Sequence, residues 1–169
     1  MEELILLKPD ESMEDEFLQF NQEWEEHMEK MVPYAADLRG MSFEDWLKES
    51  RQLEHDAPDG MVTASLWLLL RENRILGAFA LRHELNDYLM SVGGHIGYGI
   101  RPSERGRGLA DIMLKKALLI VKEMNYQKVL VTCSKNNIPS EKTIIKNGGI
   151  LENEIVYGEE IVARYWIHL

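Results

Sequence analysis

Between residues 100 and 110 a strand pattern runs straight into a glycine-rich turn and then into a helix. The run reads Ile100-Arg101-Pro102-Ser103-Glu104-Arg105-Gly106-Arg107-Gly108-Leu109-Ala110. The first amides of a helix have no intrahelical partner and carry partial positive charge, so a turn of this kind is a natural anion site. Glycines allow close backbone approach and unusual dihedrals. Ala110, being small, keeps the first helical turn open. Arg105 and Arg107 are placed to add charge-assisted bonds to phosphate oxygens. Arg101, Arg105 and Arg107 together form a basic island in a chain whose net charge is −10, which points to a small anionic ligand. The structural alternative is an ordinary strand-to-helix turn with solvated arginines.

Around this turn the pattern gives the order β-α-α-β-β-β-α-β-α-β-β. Leu4 to Leu7 reads as a strand ended by Pro9, and Asp10 or Ser12 can cap a first helix. Phe17, Phe20, Trp24, Met28 and Met31 fall on one face of that helix, and Pro33 ends it. Glu25, Glu26 and Glu29 read as its solvated face or as the border of an entrance for a cationic acceptor. Ser42 can cap a second helix carrying Phe43, Trp46, Leu47 and Leu53. Val62 to Leu70 and Ile75 to Leu81 form a hairpin around Arg71-Glu72-Asn73-Arg74. Arg82 to Gly94 is polar and irregular, and His95 to Ile100 is the next strand. Leu109, Ile112, Met113, Ala117, Ile120, Val121 and Met124 make an apolar helical stripe. Val129-Leu130-Val131 is a short buried strand. Asn137 caps a last helix with Pro139 in its first turn, and Gly148-Gly149 ends it. Ile150 to Tyr157 and Ile161 to Leu169 close as a hairpin. The fold class is α/β of the α+β kind. It has a mixed, mostly antiparallel central sheet flanked by helices, in one domain over residues 1–169.

Two other phosphate-binding patterns fail on residue identity. A Walker loop needs Gly-Lys-Ser/Thr, and no such triplet occurs. A Rossmann fingerprint read from Gly106 puts Asp111 in its third glycine place, and read from Gly97 it puts Pro102 there.

At these residues the chain resembles the GNAT superfamily of N-acetyltransferases. Its coenzyme A loop reads Arg/Gln-x-x-Gly-x-Gly/Ala, and Arg105-Gly106-Arg107-Gly108-Leu109-Ala110 matches every specified position. Ile96-Gly97-Tyr98-Gly99-Ile100-x-Pro102 is similar to the family's fourth strand. Asn137 and Ser140 resemble its Asn-x-x-Ala/Ser helix start. The run from His95 to Arg105 looks like a bacterial subgroup whose acceptors are mostly unassigned. The specific motifs cover about residues 95 to 149, while the element order resembles the family's from end to end.

The resemblance implies acetyl-CoA as cosubstrate, no metal, and direct attack by a primary amine of a small molecule or protein. Main-chain groups of Tyr98, Gly99 and Ile100 would hold the pantetheine arm and polarise the thioester carbonyl. Gly106, Arg107, Gly108, Leu109 and Ala110 would hold the pyrophosphate, and Asn137 would bond the pantetheine. A homodimer is also implied. The family's usual tyrosine, seven residues after the asparagine, is here Ile144, which has no proton to give. Tyr98 is the substitute donor to examine. His95 stands where many relatives carry a glutamate, and histidine titrates near neutral pH. It therefore reads either as a base for the attacking amine or as a packed strand-start residue. Glu84, just after the third strand, is a further candidate base, or a solvated loop carboxylate. His83, Asn86, Asp87 and Tyr88 share its loop.

Composition narrows the classes. Net charge −10 argues against nucleic acid, whose binding relies on neutralising phosphates. It is compatible with attraction of a cationic substrate over distance, although acidity of this kind serves solubility in many cytoplasmic proteins. The most apolar run, Leu66 to Leu70, is too short to span a bilayer. Met1-Glu2-Glu3-Leu4 lacks the basic start of a secretory leader. Cys133 is the single cysteine, which excludes an intrachain disulfide and fits a cytoplasmic location. It reads as a small core residue. His27, His55, His83, His95 and His168 show no metal-ligand spacing. Three functions stay open: an N-acyltransferase, a non-catalytic coenzyme A-binding module of the same fold, and a nucleotide-binding domain with a similar loop.

Overall fold

A computed structural model describes residues 3–169. Its strands are β1 (Leu4–Leu7), β2 (Ala64–Arg71), β3 (Arg74–Arg82), β4 (Ile96–Ile100), β5 (Lys128–Ser134), β6 (Ile150–Tyr157) and β7 (Glu160–His168). Its helices are α1 (Glu14–Glu26), α2 (Phe43–Leu53), α3 (Leu109–Glu123) and α4 (Ile138–Lys146). The element order is the one expected. No helix among the described residues is long and apolar enough to cross a membrane.

The sheet is split. Four strands pair antiparallel in the order β1-β2-β3-β4, and three more pair antiparallel as β5-β7-β6. β2 and β3 are apolar at nearly every position because both faces of the first sheet are covered. Leu66, Leu68, Leu70, Ala78 and Ala80 pack on one side with Phe17, Phe20, Trp24, Phe43 and Trp46 of α1 and α2. Trp67, Leu69, Phe79 and Leu81 pack on the other side with Leu109, Met113, Ala117 and Val121 of α3. Period-two alternation therefore sorts side chains between two cores rather than between core and water. The α1–α2 side is an aromatic stack, with Phe17 and Trp46 centroids 4.1 Å apart.

Local chemistry sets the ends of the elements. The Ser42 hydroxyl accepts from the Asp45 N–H (3.2 Å), capping α2. The Asn137 side chain accepts from the Ser140 N–H (3.3 Å), capping α4. One expectation is corrected. The first helix stops at Glu26 rather than at Pro33: Met28 takes φ 54° and is 93% exposed, and Met31 is buried from the segment beyond the helix. That left-handed turn swings residues 29–33 across β4. A Cβ on Gly99 would lie 2.0 Å from the Val32 carbonyl oxygen, so this crossing requires glycine there.

The two sheets meet at one point. The His95 N–H donates to the Leu130 carbonyl (2.7 Å), and the Leu130 N–H donates to His95 Nδ1 (2.9 Å). Beyond this joint β4 is an edge strand. Its free polar groups face a gap lined by Tyr98, Gly99 and Ile100 on one side and by the start of α4 on the other.

Candidate active site

The gap is a cleft of ≈ 600 Å³. At its open end lies the turn from Gly106 to Ala110. Gly106 and Gly108 have φ of 76° and 74°, a region that side chains disfavour, and a Cβ on either would meet no protein atom within 4 Å. α3 begins on Gly108 with no side-chain cap. The Ile112 N–H bonds the Gly108 carbonyl. Among the described residues the preceding six N–H groups, of Gly106 through Asp111, have no acceptor in the protein. Six adjacent free amides at the positive end of a helix offer an anion donors that need no side-chain charge.

Of the expected coenzyme-binding residues, Tyr98, Gly99, Ile100, Arg105, Gly106, Gly108, Leu109, Ala110, Asn137 and Ser140 all line this cleft, and Arg107 does not. The arginines stand otherwise than expected. Arg101 is buried, 3% exposed, between Glu16 (2.5 Å) and Glu23 (2.6 Å) of α1. Burial alone would raise Glu23, but bonds from Arg101 and Ser103 outweigh it and lower its pKa to about 2. Arg105 forks onto Glu29 (3.0 and 2.7 Å), lies over the Trp24 ring and bonds the Ile100 carbonyl. Arg107 bonds Glu104. Thus carboxylates of α1 neutralise Arg101, Glu29 beyond the helix neutralises Arg105, and Glu104 neutralises Arg107, while the backbone amides of the turn stay without a partner. Sequence periodicity put Glu29 on a solvated face. Its pairing with Arg105, 76 residues away, has no local signal. The Asn137 side chain is likewise engaged by its capping bond.

Tyr98 reaches across the gap from β4 to α4. Its hydroxyl lies 2.9 Å from Ser140 Oγ. Burial raises its pKa to about 12, against the opposing effect of the Ser140 bond, so the phenol stays protonated at neutral pH. Ile144 is fully buried in the core and faces no cavity. Burial also raises the Cys133 thiol to about 11, which keeps it a thiol.

His95 is 8% exposed. Burial, helped by the Arg82 charge, lowers its pKa to about 4. Its Nδ1 already accepts from Leu130, so the proton of the neutral ring is on Nε2 and no lone pair is free to take another. Glu84 is exposed and lines neither cavity. The carboxylates at the cleft, Glu29, Glu104 and Asp111, are all ion-paired.

A second cavity of ≈ 450 Å³ lies on the α1–α2 face of the first sheet. Its wall is mostly apolar, with Trp46, Leu53, Leu66 and Leu89. Arg82, at the end of β3, also lines it. The Arg82 guanidinium lies against Gly97 of β4, with Nη2 3.2 Å from where a Cβ would stand. β4 therefore has the cleft on one side and this cavity's cation on the other. The sequence reading missed Arg82, which looks like the first residue of a polar loop.

A family model described as the acetyltransferase (GNAT) domain matches residues 3–150. The chain belongs to the GNAT acetyltransferase family. It is an acetyl-CoA-dependent N-acetyltransferase, as that membership entails. Among curated proteins, none matches this GNAT chain in sequence. Solved structures share its fold at low identity. An acetyltransferase of Salmonella typhimurium that modifies the N-terminal serine of a 50S ribosomal subunit protein is 16% identical at TM-score 0.70, covering 98% of this chain and 95% of that one. The microcin C7 self-immunity acetyltransferase MccE, solved with acetyl-CoA and AMP, is 18% identical at TM-score 0.73, covering 99% and 93%. A spermidine N-acetyltransferase SpeG chimera from Vibrio cholerae and hSSAT is 19% identical at TM-score 0.66, covering 98% and 94%.

Proposed function

We propose that this GNAT enzyme acetylates a primary amine, of a small molecule or a protein, that reaches β4 from the α1–α2 side. The observation that carries the reading is the row of six unpaired amides from Gly106 to Asp111 at the mouth of the gap. Bound acetyl-CoA would supply an activated acetyl thioester. The loop amides would hold its pyrophosphate, and the free edge of β4 would bond its pantetheine amides and carbonyl. Tyr98 and Ser140 keep a protonated hydroxyl pair in the gap, which supports a role in meeting the departing sulfur where Ile144 offers nothing. This pair favours an enzyme over a non-catalytic coenzyme A-binding module.

His95 is assigned to the joint between the sheets, and Glu84 is given no role. The acceptor then loses its proton to solvent before attack. Its neutral nitrogen bonds the acetyl carbon as the carbon–sulfur bond breaks, the nitrogen sheds its second proton to solvent, and the departing thiolate takes a proton from the Tyr98–Ser140 hydroxyl pair, which solvent restores.

The test is calorimetry with acetyl-CoA, CoA and ATP, followed by thiol release from acetyl-CoA across an amine library. The reading expects coenzyme A binding in preference to ATP, and amine-dependent thiol release. Binding without release by any amine would leave only the coenzyme A-binding module.

A further inference from the structure

The second cavity holds a cation that the protein does not neutralise. Arg82 Nη1 donates to the carbonyls of Gly93 (3.1 Å) and Gly94 (3.4 Å). Among the described residues no acceptor takes its Nε or Nη2, and no carboxylate lies within 4.0 Å of its guanidinium. Its free donors are not sealed in the core, since among the described residues the indole N–H of Trp24 is the only fully buried side-chain polar atom without a partner. The side chain that carries them lines the second cavity. The only carboxylate on that wall, Glu49, is held by Arg39 (3.2 Å), so the cavity keeps one positive charge in excess. Burial of Arg82 lowers its pKa from the ordinary arginine value, the mark of a charge that lacks compensation.

An uncompensated guanidinium in an apolar cavity is costly unless a ligand supplies the counter-charge. Its free edge presents two parallel donors, the geometry that a carboxylate matches. We propose that the second cavity is the acceptor site and that it takes an amine which also carries a carboxylate and an apolar body, as an apolar α-amino acid does. The carboxylate pairs with Arg82 Nε and Nη2, and the apolar body rests against Leu53, Leu66 and Leu89. The guanidinium that takes the carboxylate itself covers Gly97, so the ligand is held one side-chain layer from β4. A volume of ≈ 450 Å³ suits a ligand of that size. The same charge repels polyamines. The acidic surface attracts cations at long range, whereas the cavity itself selects against them. The assignment rests on the acyl-transfer reading only for the identity of the ligand as acceptor.

Calorimetry on the full chain would test binding of leucine, leucinamide, isoamylamine and spermidine. Thiol release from acetyl-CoA would be measured with the same compounds. Leucine is expected to bind, and to exceed leucinamide and isoamylamine by about tenfold or more in kcat/KM, as loss of a charge-assisted pair entails. Spermidine is expected to bind least. Arg82→Gln should remove the preference for leucine and leave acetyl-CoA affinity within about twofold. Arg82→Lys, which keeps the charge but not the fork, should retain part of the preference and confirms that the site is folded. Equal or better binding of the neutral amide or of spermidine would overturn the proposal, as would an Arg82→Gln chain that still prefers leucine. Leucine binding that Arg82→Gln abolishes, without thiol release, would keep the carboxylate site and remove the acyl-transfer reading instead.

Discussion

The cleft beside β4 and the cavity over β2 and β3 are built from different materials. The cleft is mostly backbone: six free amides from one short turn, and the free edge of one strand. The cavity is mostly side chain, drawn from α2, the loop around Gly60, β2, β3 and the turn at Leu89. Backbone recognition needs few particular residues, mainly glycines at the turn, so one cradle can serve a fixed cosubstrate. Side-chain recognition can be rebuilt by substitution without disturbing it. Under the proposed assignments, the difference teaches where specificity resides: acetyl-CoA falls to the part that tolerates little change, and acceptor choice to the part that can vary.

The sharpest way to break this contrast is Gly108→Trp. The indole would crowd the cradle and strain a left-handed position, removing several charge-assisted bonds worth about 1.5–3 kcal/mol each. Acetyl-CoA affinity should fall by a hundredfold or more, roughly, while carboxylate binding in the second cavity stays unchanged. Calorimetry with both ligands decides it, and retained acetyl-CoA affinity would mean the amides are not the site.

His95→Asn asks whether both regions depend on the joint between the sheets. The His95 pKa is lowered from 6.5 to about 4 on folding. Between those values the unfolded chain binds a proton that the folded chain refuses. Its contribution is therefore complete above pH 6.5 and lost as pH falls toward 4, by up to about 3 kcal/mol. Asparagine can still accept from the Leu130 N–H but does not titrate. Urea melts should show a shallower loss of stability for the variant across this window. In the wild type, kcat/KM should rise with pH along the ionisation of the acceptor amine. A bend near pH 6.5 that His95→Asn abolishes would restore His95 as a base.

Tyr98→Phe sharpens the chemistry of the cleft. Turnover should drop roughly 10- to 100-fold with little change in acetyl-CoA affinity, if the hydroxyl pair meets the departing sulfur. Unchanged kcat would leave that step to solvent. Ser50→Trp is the smallest expected change. Ser50 faces the second cavity from α2. Partial filling should lower acceptor kcat/KM about tenfold and leave acetyl-CoA binding unaltered. An equal loss for both ligands would join the two regions into one site.

Legibility divides along the same line. Gly106, Gly108 and Ala110 were readable because a helix start and its glycines are local, set by dihedrals within a few residues. Asn137 was readable as a cap for the same reason. The apolar runs of β2 and β3 announced buried strands, although not that two separate cores share them. Met28 was misplaced because periodicity continues past the point where the chain turns at Glu26. Arg105 was expected on phosphate because its partner, Glu29, lies too far along the chain for any pattern to pair them. His95 read equally as base or as packing, and only the Leu130 amide on its ring nitrogen separates the two.

The sequence by itself determined the element order and the loop of free amides, because each depends on neighbours within one turn of helix or strand, and the acetyl-CoA chemistry came from the family resemblance those residues carry. Tertiary structure alone decided which charges are neutralised and which is not. Arg101, Arg105 and Arg107 all find carboxylates on packing, and Arg82 does not. Electrostatic energy depends on distance in space, and two residues 76 positions apart in the chain can meet only once the sheets and helices have closed around them.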